Sequence, residues 1–178
     1  MKARSILTHT ICGLGLIGVF VSSPARAMPV QWPTNGHYYD LILTNITWQD
    51  ALADASSNTF LGLPGHLATI TSSAENDFIL TNFATGSDSC FAWLGGSAPA
   101  ENDVWLWSAG PEVGVQFTLG VSPTPPYNYA NWDGVEPNHS QPDENYLMIN
   151  IGLPFSGIQS GQWADASPTP SPNNSPDQ

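Results

Sequence analysis

Every Lys and Arg of this chain (Lys2, Arg4 and Arg26) lies ahead of residue 27, and all fifteen Asp and Glu lie beyond it. Past that point no basic side chain is available to neutralise a carboxylate. The constraint is tightest at residues 131–145, NWDGVEPNHSQPDEN. This stretch gathers Asp133, Glu136, Asp143 and Glu144 with the neutral oxygen donors Asn131, Asn138, Gln141 and Asn145. Oxygen donors without a basic partner suit a hard cation. Calcium takes about 6–8 oxygen ligands from such groups, whereas zinc calls for His or Cys and magnesium tolerates fewer protein ligands. Calcium is therefore the first expectation. The alternative is a solvated acidic loop rich in turn formers.

The N-terminus bounds where the chain works. Lys2 and Arg4 precede an apolar run over residues 11–21, and Ala25-Arg26-Ala27 forms a small-x-small exit. Residues 1–27 read as a secretory signal peptide cleaved after Ala27, which makes the product secreted or periplasmic. The apolar core falls short of the ~20 residues of a membrane span, so no membrane insertion is expected after cleavage. Residues 28–178 then carry a formal charge of −15 with His neutral. Such a surface repels phosphate backbones and anionic lipids, which excludes nucleic acid and membrane-surface partners. Self-repulsion weakens the compact state, and bound divalent cations would relieve it. The composition fits a high-salt and an acidic habitat equally well. Cys12 belongs to the leader, and Cys90, beside the apolar FAWL of 91–94, reads as a buried small residue. His37 and His66 read as scaffold, having no second His at ligand spacing.

The chain in order supplies that scaffold. Residues 36–42, GHYYDLI, form a strand, and Thr47 caps a helix whose apolar face is Trp48, Ala51, Leu52 and Ala55. A short strand at 65–70 leads to Ser72 and Glu75, a capping box for a second helix through Phe78, Ile79, Asn82 and Phe83. AWLGG at 92–96 and VWLWS at 104–108 read as core strands. In the latter, Trp105 and Trp107 share one face, and Val104, Leu106 and Ser108 the other. Residues 110–131 form a long Gly-, Pro- and Tyr-containing loop of little regular pattern. A strand at 146–151 pairs with one beginning at 161–165, and ASPTPSPNNSPDQ at 166–178 reads as a disordered tail.

Glu136-Pro137-Asn138, the Glu144 that follows Glu136 by eight positions, and Trp163-Ala164-Asp165 together resemble the long loop and following strand of a C-type lectin domain. HLATITSSAEN at 66–76 and AWLGG resemble that family's strand-to-helix junction and core strand. The resemblance spans residues 36–165 and implies an α+β, C-type lectin-like fold, with two helices flanking small antiparallel sheets and a long calcium-binding loop. It places Glu136, Asn138, Glu144 and Asp165 on calcium-ligand positions. Glu136, Asn138 and Glu144 would also meet two vicinal sugar hydroxyls, and Pro137 would shape the loop through a preceding cis bond. In the family the Glu-Pro-Asn order goes with mannose-type hydroxyls.

Three departures stand beside the resemblance. Ala164 replaces the family's Asn, which removes one amide from both metal and sugar. The family's disulfides are absent. The family's closing strand is also missing, so the strand at 36–42 should present an exposed edge unless another element covers it.

Two functions follow. One is a secreted, calcium-dependent carbohydrate-binding module for mannose-type glycans. The other is a structural or protein-binding module in which calcium only orders the loop or is absent. No enzyme is expected: carboxylates gathered around a cation make a poor acid/base pair, and no Ser-His-Asp order or cofactor fingerprint is present. The Asn-x-Ser/Thr triplets at Asn45, Asn138 and Asn173 carry no inference of a glycan.

Overall fold

The computed structural model describes residues 4–9, 28–86, 90–99 and 103–169. In chain order come β1 (Arg4–His9), β2 (Val30–Gln31), β3 (Tyr38–Leu43), α1 (Trp48–Ser57), β4 (Thr59–Phe60), β5 (Leu63–Leu67) and α2 (Ser73–Phe83). These are followed by β6 (Phe91–Ser97), β7 (Val104–Trp107), β8 (Gln116–Leu119), β9 (Ser122–Pro123), β10 (Tyr146–Asn150) and β11 (Trp163–Ala166). None of the described helices is long and apolar enough to cross a membrane.

Both helices start where their capping residues place them. Thr47 Oγ1 accepts from Asp50 N at 3.1 Å, and α1 buries Trp48, Ala51 and Ala55. Ser72 Oγ accepts from Glu75 N at 3.3 Å. The reciprocal half of the expected capping box is rerouted. Glu75 Oε2 accepts from Thr71 N at 2.8 Å and from Thr71 Oγ1 at 3.0 Å, while Oε1 accepts from Tyr39 OH and, at 3.4 Å, from Asn35 Nδ2. The carboxylate thereby ties α2 to β3. Burial pushes its pKa upward.

β6 is the organising strand, with all seven residues buried. It pairs antiparallel with β7 on one course and with β10 on another, and β10 pairs with β11. Gly96 permits this packing, because a Cβ there would lie 2.8 Å from Leu147 Cδ2. One core cluster gathers Tyr39, Ile79, Leu94, Trp105, Trp107, Phe117, Leu147, Ile149 and Trp163, with Cys90 buried among them as expected. The other lies under α1 and contains Trp48, Leu67, Phe91, Trp93, Met148 and Ala164. Trp105 and Trp107 are both buried, while Val104 and Leu106 are partly exposed, as strand alternation predicts.

Two expectations need correction, and a third is decided between its alternatives. Residues 110–131 are not simply a loop: β8 pairs with β7 and β9, and Phe117 stacks on Trp107 with ring centroids 4.1 Å apart. The strand expected to have an exposed edge unless another element covers it, β3, is covered: it pairs along its length with β1 in parallel and is flanked on its other side by β2. The tail does not begin at residue 166. Ala166 belongs to β11, Ser167 Oγ donates to Asp143 Oδ1 at 2.6 Å, and Pro168 O accepts from Trp48 N at 2.9 Å. Residues 1–3 and 10–27 of the expected leader and 170–178 of the expected tail lie outside the described residues.

Candidate functional site

Acidic residues 131–145 are laid against β11 by the backbone. Trp163 N donates to Asn131 O at 2.8 Å and Asp133 N to Trp163 O at 3.0 Å, a parallel bridge between Trp132 and Trp163. Asn131 Nδ2 and Asn76 Nδ2 both donate to Gly161 O, at 2.7 and 3.2 Å. The turn into β11 is thus held from α2 and from the loop. Gly161 has φ +87°, and a Cβ there would meet Leu80 Cδ1 at 2.6 Å.

On this platform the expected ligand residues come together as a hydrogen-bonded set. Glu136, Glu144 and Asp165 are all buried, at 1%, 1% and 0% exposure. Asn138 Nδ2 donates to Glu136 Oε1 at 2.9 Å, and Asn138 N to Asp165 Oδ1 at 3.0 Å. Asp165 Oδ2 also accepts from His139 N at 3.0 Å. Glu144 accepts from Ser140 Oγ at 3.0 and 3.1 Å and from Gln141 N at 2.9 Å. The Glu136–Pro137 bond is cis, the isomer the resemblance implies. No group of three or more His, Cys, Asp or Glu side chains is brought to metal-holding geometry among the described residues. Loop N–H groups bind these carboxylates instead.

Sequence reasoning gave no role to His139, which proves central. Its Nδ1 lies 3.3 Å from Asp165 Oδ2 and 3.1 Å from Glu144 O, its Nε2 lies 3.0 Å from Asp103 Oδ1, and its ring stacks on Trp105. The signal available was its position next to Asn138, as the ionisable nitrogen nearest the carboxylates in a region without Lys or Arg. Ser140 was missed because a hydroxyl in a polar loop carries no pattern. Asn145 Oδ1 is buried without a hydrogen-bond partner, an orphaned oxygen next in sequence to Glu144. Ala164 is fully buried in the α1-side cluster, on the face of β11 opposite Trp163, and contributes no oxygen to the set. The donor set is oxygen-only, and in composition it fits a hard cation.

No family model matches the chain. The α-N-acetylgalactosamine-specific lectin of Patiria pectinifera is 31% identical over 118 residues, covering 65% of this chain and 68% of that protein. The C-type lectin CEL-I of Cucumaria echinata superposes with a TM-score of 0.50 at 21% identity, over 68% of this chain and 75% of its own. The chain belongs to the C-type lectin family. Halomucin of Haloquadratum walsbyi is 37% identical over 131 residues, which is 72% of this C-type lectin domain's chain but 1% of halomucin. The type-2 ice-structuring protein of Hemitripterus americanus is 32% identical over 113 residues and is covered to 53%. Against both of these relatives, this lectin-family chain spans only part of the longer protein.

Proposed function

We propose that this domain is an exported, non-enzymatic carbohydrate-binding module that works through calcium held at Glu136, Asn138, Glu144 and Asp165. One observation carries the reading: the buried carboxylates of Glu136 and Glu144 in the loop and Asp165 on β11 are gathered by Asn138, His139 and Ser140, in a stretch, residues 28–178, that has no Lys or Arg. Gathering buried carboxylates of like charge is costly, and a divalent cation offsets that cost while satisfying the oxygens together. When bound, calcium supplies coordination to two vicinal sugar hydroxyls. The chain supplies direction. Glu136 and Glu144 accept from those hydroxyls, and the Asn138 amide, which now donates to Glu136, donates to one of them. The name of the Patiria relative supports a sugar ligand, and the Glu-Pro-Asn order supports a mannose-type one.

A second reading is favoured by Asp165, whose two oxygens already accept from Asn138 N and His139 N and face the His139 ring. The loop would then be held without metal, as a structural or protein-binding module. Calcium titration calorimetry on wild type and Glu136→Gln separates the two. Saturable binding that the substitution weakens at least tenfold supports the calcium module. Heats indistinguishable from dilution in both proteins support the metal-free one.

A further inference from the structure

Asp103 stands outside the oxygen set yet reaches it through one side chain. Its Oδ1 lies 3.0 Å from His139 Nε2, its backbone O accepts from Gly120 N at 2.7 Å, and its side chain is 58% exposed. It directly precedes β7, whose Trp105 stacks with the His139 ring at 6.1 Å between centroids and 18° between planes. A carboxylate only accepts, so the His139 Nε2–H is the donor that joins the two side chains. One residue therefore fastens three segments: the start of β7, the turn between β8 and β9, and the acidic loop at residue 139.

His139 needs such a hold. Its φ is +48°, in the left-handed region, where a side chain persists only if the surroundings fix it. In that conformation the consecutive N–H groups of Asn138 and His139 meet the two oxygens of Asp165, at 3.0 Å each. These two bonds set how far the Glu136-Pro137-Asn138 oxygens lie from those of Asp165 on β11. Asp103 is itself left-handed, at φ +59°, so both partners of the clasp hold a conformation that the free chain seldom visits.

We infer that Asp103 is a positioning residue for the oxygen site: by accepting from His139 it keeps the turn at residues 138–139 in its left-handed form, and so keeps the loop laid against β11 before an ion arrives. Holding the loop in advance raises affinity, because the apparent Kd grows as the binding-competent fraction falls. The consequence for calcium rests on the calcium reading above, and the consequence for the loop does not.

Amide hydrogen exchange of the calcium-free full chain, followed residue by residue by NMR, reads the clasp directly. Asp103→Gly removes the carboxylate and tolerates the left-handed backbone, while Asp103→Asn keeps an acceptor oxygen in a residue that also adopts it. In Asp103→Gly, exchange at the Asn138 and His139 N–H groups should quicken about tenfold, with the β10 amides within about twofold of wild type. Because the side chain is exposed, the melting temperature should move by less than about 3 °C. Asp103→Asn should match wild type throughout. Calcium titration should then give a Kd about threefold to tenfold weaker for Asp103→Gly alone. Unchanged exchange at residues 138 and 139 in Asp103→Gly overturns the inference, as does an equal loss in Asp103→Asn. Quickening spread over β10 with a large fall in melting temperature also overturns it, by showing a merely structural role. Faster loop exchange with unchanged calcium affinity removes Asp103 from the ion site. No calcium uptake by the wild type contradicts the calcium reading and leaves the clasp to be judged by the exchange result alone.

Discussion

Asp165 shows how single residues solve the problem posed by a chain without basic groups: two loop N–H donors and the His139 ring surround a carboxylate that is fully buried. That Glu136, Asn138, Glu144 and Asp165 would come together was legible in the sequence, because Glu-Pro-Asn and a Glu eight positions on are spacing. The roles of His139, Ser140 and Asn145 were not, because they depend on where the loop folds back. His66 makes a separate residue-scale prediction. Its Nδ1 lies 2.8 Å from Leu67 O, and its burial against the Gly110 turn pulls its pKa below the ordinary 6.5. The unfolded chain therefore takes up a proton, as pH falls through 6.5, that the folded domain refuses. Stability contributed by neutral His66 is intact above that pH and is lost below it. Urea denaturation of wild type and His66→Gln should show a stability difference that is constant near neutral pH. Below about pH 6.5 it should shift against the wild type by up to about 1.4 kcal/mol per pH unit. A difference independent of pH would assign no titration to His66. Gly161→Ala should cost about 1–3 kcal/mol, since φ +87° and the 2.6 Å approach to Leu80 both oppose a side chain. Chemical denaturation checks this directly.

At the scale of elements, the helices and the tryptophan strands were the readable part. Thr47 and Ser72 cap where the Ser/Thr pattern places them, and alternation in VWLW fixes which face enters the core. β8 and β9 escaped because four and two residues are too few to establish a period of two, and their pairing comes from β7. β1 escaped because its partners are distant in sequence and its own residues read as a leader. Asn76 was hidden for a related reason. A polar residue on a helix gives no sign of burial, yet its Oδ1 accepts from Trp163 Nε1 at 3.1 Å while its amide holds Gly161 O. Asn76→Ala should cost about 1–3 kcal/mol for each buried group it orphans, and it should loosen the loop platform as well as the core. A loss within about 0.5 kcal/mol by denaturation would mean that α2 does not hold β11 through this residue. Thr47→Ala should cost about 1 kcal/mol by the same measurement.

The whole molecule joins a formal charge of −15 over residues 28–178 to a site that buries three carboxylates, two on the loop and one on β11. General screening and specific binding both relieve such repulsion, and they differ in concentration. Micromolar to millimolar calcium should raise the melting temperature where the same molarity of sodium chloride does not, because a ligand that binds only the native state stabilises it by mass action. Equal shifts with both salts would assign the effect to screening. The family and the α+β fold were legible from the ends of the chain's motifs inward, but whether the loop presents its oxygens to a cation and a sugar together is a property of the assembled molecule. The most direct measurement is titration calorimetry of the calcium-loaded domain with mannose, repeated after chelation. Saturable binding with calcium that vanishes on chelation and returns on readdition is the predicted result. Calcium binding with no heat from mannose or any other monosaccharide would contradict the proposed carbohydrate-binding function.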